Sequence, residues 1–212
     1  MIPIAGMAPT STVDFPGRLA AVLFTPGCNY RCWYCHNSRL IDGDARCLDP
    51  RCVRDFLSAR AGLLPGIVIS GGEPTLQPGL PAFCRRLKQL GYAVKLDTNG
   101  SRPQVLATLL SQHLVDYVAV DHKAPLADYP RICGHDAAGL TETVELLCRH
   151  MRTPAARRGG FNWELRTTVL PEFTEATLAR MRAEFPQVPR RRRNPYRDAT
   201  PTLIVDAPAK PA

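Results

Sequence analysis

No run in the 212-residue chain approaches the roughly 18 apolar residues a membrane-spanning helix needs, which excludes a helical span. The stretch from Met1 to Gly17 lacks a basic segment followed by an apolar one, so no secretory signal is read there. The expected compartment is the cytoplasm, where thiols stay reduced, and the eight cysteines are not expected to form a disulfide framework. No internal repeat of fixed period and no long linker appear, and the length fits one domain with at most a short appendage. Hydrophobic residues at 45% and charged residues at 22% exclude a wholly disordered chain. Lysine is missing from Arg149 to Arg197, where twelve arginines face four glutamates, an excess equal to the +8 of the whole chain. The run Arg190–Arg193 reads either as a solvated surface or as a docking face for an acidic partner or a polyanion.

Short apolar, β-branched runs alternate with helical patterns. The expected strands are Leu19–Phe24, Ile67–Ser70, Ala93–Asp97, Tyr117–Asp121 and Glu164–Val169. Asp49-Pro50 opens a helix to about Ala61. Leu80, Phe83, Cys84, Leu87 and Leu90 mark the apolar stripe of another, which Gly91 stops. Ser101–Gln112 and Leu140–His150 read as helices, and Thr174 caps one running to Phe185. Such alternation gives parallel strands and right-handed crossovers. Five or six units fit this length and eight do not, so the expected fold is α/β, a partial (β/α)6 TIM-like barrel, with a flat doubly wound sheet as competitor. The barrel domain is expected over 1–197, followed by a partly flexible tail, 198–212, carrying a last strand at Thr202–Val205.

Cys28, Cys32 and Cys35 form a C-x3-C-x2-C pattern directly after the first expected strand. A structural zinc site needs four ligands, usually two pairs, and the second pair is missing. Three thiolates suit a [4Fe–4S] cluster with one open iron, though spacing alone leaves cluster and zinc about level. Further motifs follow the next strands: Ser70-Gly71-Gly72-Glu73-Pro74, Asp97-Thr98-Asn99-Gly100 and Asp121-His122-Lys123, with Arg166 inside the fifth. Each alone reads as a turn or an ion pair. Their shared position is the stronger signal, because a parallel barrel gathers its carboxyl ends on one face.

The cysteine pattern, with Tyr34 before its last cysteine, resembles the radical S-adenosylmethionine (SAM) superfamily. Thr12-Val13-Asp14-Phe15-Pro16-Gly17 through Cys35-His36-Asn37 is similar to glycyl-radical-enzyme activating proteins, above all the activators of anaerobic ribonucleoside-triphosphate reductase. The likeness runs from about Gly6 to Pro171. It implies a [4Fe–4S] cluster on the three cysteines whose fourth iron chelates SAM. Reductive cleavage of SAM then gives a radical that takes hydrogen from a glycine of a partner reductase. It further implies that Gly71, Gly72 and Glu73 meet the SAM amino group, with Glu73 accepting from the ammonium. Tyr34 and His36 would lie near the adenine, and Asp97, Thr98 and Asn99 beside the ribose and carboxylate. Asp121, Lys123 and Arg166 would also line the cofactor, and Asp97 with Asp121 would flank a monovalent cation. No side-chain base is expected. The implied partners are the glycyl-radical reductase and a flavodoxin- or ferredoxin-type electron donor, with no membrane.

Two other readings remain. One keeps the radical chemistry on a small molecule, as in 7-carboxy-7-deazaguanine synthases. The other is a basic zinc-binding nucleic-acid module, against which stand the missing ligand pair and the lack of a nucleic-acid fold. Cys84 and Cys148 read as core, Trp33 as loop packing, and His113 and His150 as helix-surface residues. Cys47, Cys52 and Cys133 could bind metal, although an extra ferredoxin-like cluster would need more cysteines.

Overall fold

A computed structural model describes residues 1–197. Seven strands form one sheet in sequence order: β1 (Gly6–Ser11), β2 (Ala20–Thr25), β3 (Gly66–Gly71), β4 (Ala93–Thr98), β5 (Tyr117–Asp121), β6 (Asn162–Val169) and β7 (Arg191–Pro195). β1 is antiparallel to β2, and the strands from β2 to β7 are all parallel. Among the described residues β1 and β7 do not pair, so the sheet they form is open. This is the expected partial barrel of six parallel strands.

Period-2 alternation sorts the strand residues into two apolar layers. Ala21, Leu23, Ile67, Ile69, Val118 and Val120 join a large cluster against the helices. Ala20, Val22, Val68, Tyr117 and Ala119 join Phe15 in a second cluster that fills the barrel interior. Continuous apolar runs such as IVIS are what strands covered on both faces require.

The helices are α1 (Pro50–Arg60), α2 (Leu80–Gln89), α3 (Pro103–Ser111), α4 (Tyr129–Cys133), α5 (Ala138–Met151), α6 (Pro154–Gly159) and α7 (Glu175–Glu184). The Asp49 carboxylate accepts from Arg51 N at 2.8 Å and opens α1, and Thr174 Oγ1 accepts from Thr177 N at 3.2 Å and opens α7. α2 buries Leu80, Phe83, Cys84 and Leu87. Among the described residues no helix is long and apolar enough to cross a membrane.

Four elements were not expected. β1, with the sequence GMAPTS, has little apolar signal and a register irregularity between Ala8 and Ser11. β7 arises from the arginine run, whose backbone pairs with β6 from Leu165 to Val169. α4 and α6 are too short for a periodicity to show. The expected strand Thr202–Val205 lies outside the described residues.

Candidate active site

The carboxyl ends of the parallel strands meet at one end of the barrel. β2 leads through Pro26 into the cysteine loop, where Gly27 takes φ +82°. Its far side is fixed by Gly27 N donating to Leu40 O at 2.7 Å and Cys28 N to Ile41 O at 2.9 Å. The turn after β3 zips onto this loop: Gly72 N donates to Thr25 O at 2.9 Å, Glu73 N to Gly27 O at 2.7 Å, and Asn37 Nδ2 to Gly71 O at 3.3 Å. A Cβ on Gly72 would lie 2.0 Å from Gly27 O, and one on Gly71 2.4 Å from Thr25 N. Both glycines therefore let two backbones close on each other.

A cavity of about 170 Å³ lies between loop and strand ends. Cys28, Cys32, Cys35, Tyr34, His36, Gly71, Gly72, Asp97, Thr98, Asn99, Asp121, Lys123 and Arg166 all line it. Glu73 does not. It is fully buried, accepting from Thr75 N at 3.0 Å, Thr98 Oγ1 at 2.7 Å and Asn99 N at 2.7 Å, besides the Thr75 hydroxyl. These bonds brace the turn after β3 against the end of β4. Glu73 thus stands behind the cavity wall, where the expected ligand ammonium would meet the turn it braces. A lone GGEP does not show whether its carboxylate faces in or out.

Ion pairs dominate the opposite wall. Arg166 Nε donates to Asp121 at 2.8 Å and its Nη1 to Asp97 at 3.0 Å. Lys123 Nζ holds the other Asp121 oxygen at 2.9 Å, and Lys95 pairs with Asp97. Burial would raise the Asp121 pKa, but Arg166 and Lys123 outweigh it and hold the carboxyl well below its ordinary range. Burial likewise opposes the charge on Lys123, and Asp121 overcomes it, keeping the ammonium well above its usual value. Between Asp97 and Asp121, where a monovalent cation was expected, stands the Arg166 guanidinium.

The three thiols differ. Burial pushes Cys28 up to about 11 and raises Cys35. Cys32 is lowered because the Cys133 thiol donates to it, and Cys133 is raised in return. Lys123 favours the thiolate at all three cysteines of the loop. Among the described residues no three Cys, His, Asp or Glu side chains converge tightly enough to hold a single metal ion. Cys28, Cys32 and Cys35 all line the same cavity, so their thiols could hold a shared polynuclear group there. His36 Nε2 is buried at the cavity wall with no hydrogen-bond partner among the described residues, so it too awaits a polar atom.

Four further lining residues went unexpected: Tyr30, Asn37, Ser70 and Thr168. Ser70 and Asn37 sit inside motifs already noticed, and Thr168 follows Arg166 by one strand period. Cys133, buried behind Cys32, had no local signal, because α4 brings it there from about a hundred residues away. Cys47 and Cys52 are exposed and line nothing here, and Cys148 is only half-buried. Trp33 is 53% exposed and touches Tyr34 and Tyr196 rather than packing inside the loop.

Comparison with known proteins agrees with this geometry. The radical SAM superfamily model matches residues 22–184. A putative glycyl-radical enzyme activating enzyme of Methanocaldococcus jannaschii is 34% identical over 178 residues, covering 81% of this chain and 70% of its own length. The pyruvate formate-lyase-activating enzyme of Staphylococcus aureus is 39% identical over 98 residues, covering 42% of this chain and 38% of itself. Among solved structures, anSMEcpe with bound AdoMet superposes with a TM-score of 0.59 at 17% identity, over 82% of this chain and 50% of that one, a likeness of fold. With the family match spanning most of the barrel and the cysteine loop at its carboxyl end, the chain belongs to the radical SAM superfamily.

Proposed function

We propose that this radical SAM enzyme is an activase that places a glycyl radical on anaerobic ribonucleoside-triphosphate reductase. The observation that carries the reading is the cavity itself, lined by three thiols, by fixed charges and by a buried imidazole whose Nε2 has no hydrogen-bond partner among the described residues. In this reading residues 1–197 are the catalytic domain. Cys28, Cys32 and Cys35 hold three irons of a [4Fe–4S] cluster. When bound, the cluster and SAM supply one-electron chemistry, reductive cleavage of the sulfonium followed by hydrogen abstraction from glycine.

The protein's own groups position and shield. Lys123 and Arg166, locked by Asp121 and Asp97, present fixed positive charge to the SAM carboxylate without moving to do so. Tyr34, whose O–H donates to the Lys123 carbonyl at 3.4 Å, and His36 lie against the adenine, and His36 Nε2 gains a polar partner there. Gly71, Gly72 and Glu73 hold the amino end through backbone, with Glu73 as a brace. Thr98 and Asn99 complete the wall, and Asn99 Nδ2 reaches Asn29 in the cysteine loop at 3.0 Å. Arg166 fills the place of a monovalent cation. A flavodoxin- or ferredoxin-type protein delivers the electron.

The archaeal relative supports a glycyl-radical enzyme as substrate, since its name carries that activity and 81% of this chain aligns with it. The test is anaerobic reconstitution, then reduction with SAM and purified reductase. About four irons per chain, a visible chromophore and a glycyl radical signal by electron paramagnetic resonance are expected. Alanine at Cys28, Cys32 or Cys35 should remove all three. A radical on pyruvate formate-lyase but not on the reductase would overturn the substrate assignment. A full chromophore in a cysteine variant would overturn the site.

A further inference from the structure

The four consecutive arginines do not form one basic face. Strand alternation sends them to opposite sides of the sheet. Outside, Arg191 donates to the carbonyls of Arg182, at 3.3 Å, and Phe185, closing the C-terminal end of α7. Also outside, Arg193 pairs with Glu175 of α7 at 3.7 Å. Inside, Arg190 Nη1 donates to Tyr117 Oη at 3.4 Å, at the far end of the barrel from the cysteine loop. Arg192 is in register with Arg166 on the neighbouring parallel strand, so it leaves the sheet on the same inner face. It is exposed, and among the described residues it makes no hydrogen bond or ion pair.

Its place gives that free charge a direction. Among the described residues β7 is the last strand of the sheet and does not pair with β1, which leaves its outer edge unpaired there. Arg166, one strand away, already lines the cavity. Lys95, Lys123, Arg166, Arg190 and Arg192 face inward against Asp97, Asp121 and Glu164. Asp97 and Asp121 are committed to Lys95, Lys123 and Arg166. Arg192 is thus a guanidinium fork on the inner face of this edge strand, beside a wall whose Asp97 and Asp121 are already paired and whose Glu164 acts on Arg190. Such a fork matches a carboxylate, the anion a protein chain carries.

We propose that Arg192 grips an acidic side chain of the protein substrate's glycine-bearing segment as that segment enters the open side of the barrel. The inference rests on the activase reading above and narrows the docking role of the arginine run to one residue. Arg190, Arg191 and Arg193 serve the fold.

Binding of the reconstituted holoenzyme to purified anaerobic ribonucleoside-triphosphate reductase tests this, measured with SAM present from about 50 to about 300 mM salt. Arg192→Gln should weaken binding about tenfold at low salt and flatten its salt dependence, with Arg192→Lys recovering part of the loss. Arg193→Gln should bind like the parent. Equal affinity and salt slope for Arg192→Gln and parent would overturn the proposal. So would an equal loss of SAM affinity in Arg192→Gln, since the effect would then belong to the cofactor pocket. A parent holoenzyme that cleaves SAM on reduction yet never binds the reductase would instead sink the substrate reading, and that outcome is visible without any variant.

Discussion

Single residues show how finely the cysteine loop is held. Gly72 sits where a methyl group would lie 2.0 Å from the Gly27 carbonyl oxygen, and neither backbone can yield, because Glu73 N and Gly72 N bond to the same loop. Gly72→Ala should cost about 2–4 kcal/mol in urea unfolding and lower the iron content after reconstitution. Gly159, with open space around its Cβ position, is the matched control and should change by less than about 0.5 kcal/mol on the same substitution. The pairing of glycines after the second expected strand was legible in the sequence. That they face the backbone of another loop was not, since no local pattern says which segment will cross 2–3 Å away. Glu73 teaches the same point: its type and position were readable, and so was a local bond to Thr75 two residues on, but the other two donors that fix it, Thr98 Oγ1 and Asn99 N, come from the end of β4 and its following turn.

At the scale of the element, caps and stripes behaved as local chemistry dictates. Thr174 is exposed, buries nothing, and contributes through its bond to Thr177 N. Thr174→Ala should therefore lower stability by about 1 kcal/mol, read as a shifted urea midpoint at unchanged slope. α7 reaches the barrel at its other end, where Glu184 accepts from Leu126 N at 3.0 Å and lies 3.0 Å from His122 Nε2. β7 shows the limit of local reading. RRRNP has no apolar alternation, and charged residues with proline are what an unpaired edge tolerates. It is a strand because β6 offers it a free ladder and α7 accepts two of its arginines.

For the whole molecule, Arg166 is the stitch between β4, β5 and β6, holding Asp97 and Asp121 on two other strands. The Asp121 carboxyl is depressed in the folded chain and ordinary, near 3.9, in the unfolded one. The unfolded state therefore takes up its proton first as pH falls. The stabilisation is present above the ordinary carboxylate range and is lost progressively below it. Urea midpoints should drop between about pH 5 and about pH 3, and Arg166→Gln should flatten that slope while lowering stability at neutral pH by about 3 kcal/mol. A slope unchanged in Arg166→Gln would show that Asp121 is not held by the guanidinium. The sequence by itself determined the strand–helix alternation, the helix caps and the placing of each motif at a strand end, because these follow from periodicities of two and 3.6 and from backbone chemistry within a few residues. Tertiary structure alone decided that Cys133 packs against the cysteine loop, that Arg166 stands between two aspartates, that Glu73 is buried behind the cavity wall, and that two of the four consecutive arginines face the interior. Each depends on distances between segments far apart in the chain, set only when strands register and helices cover them.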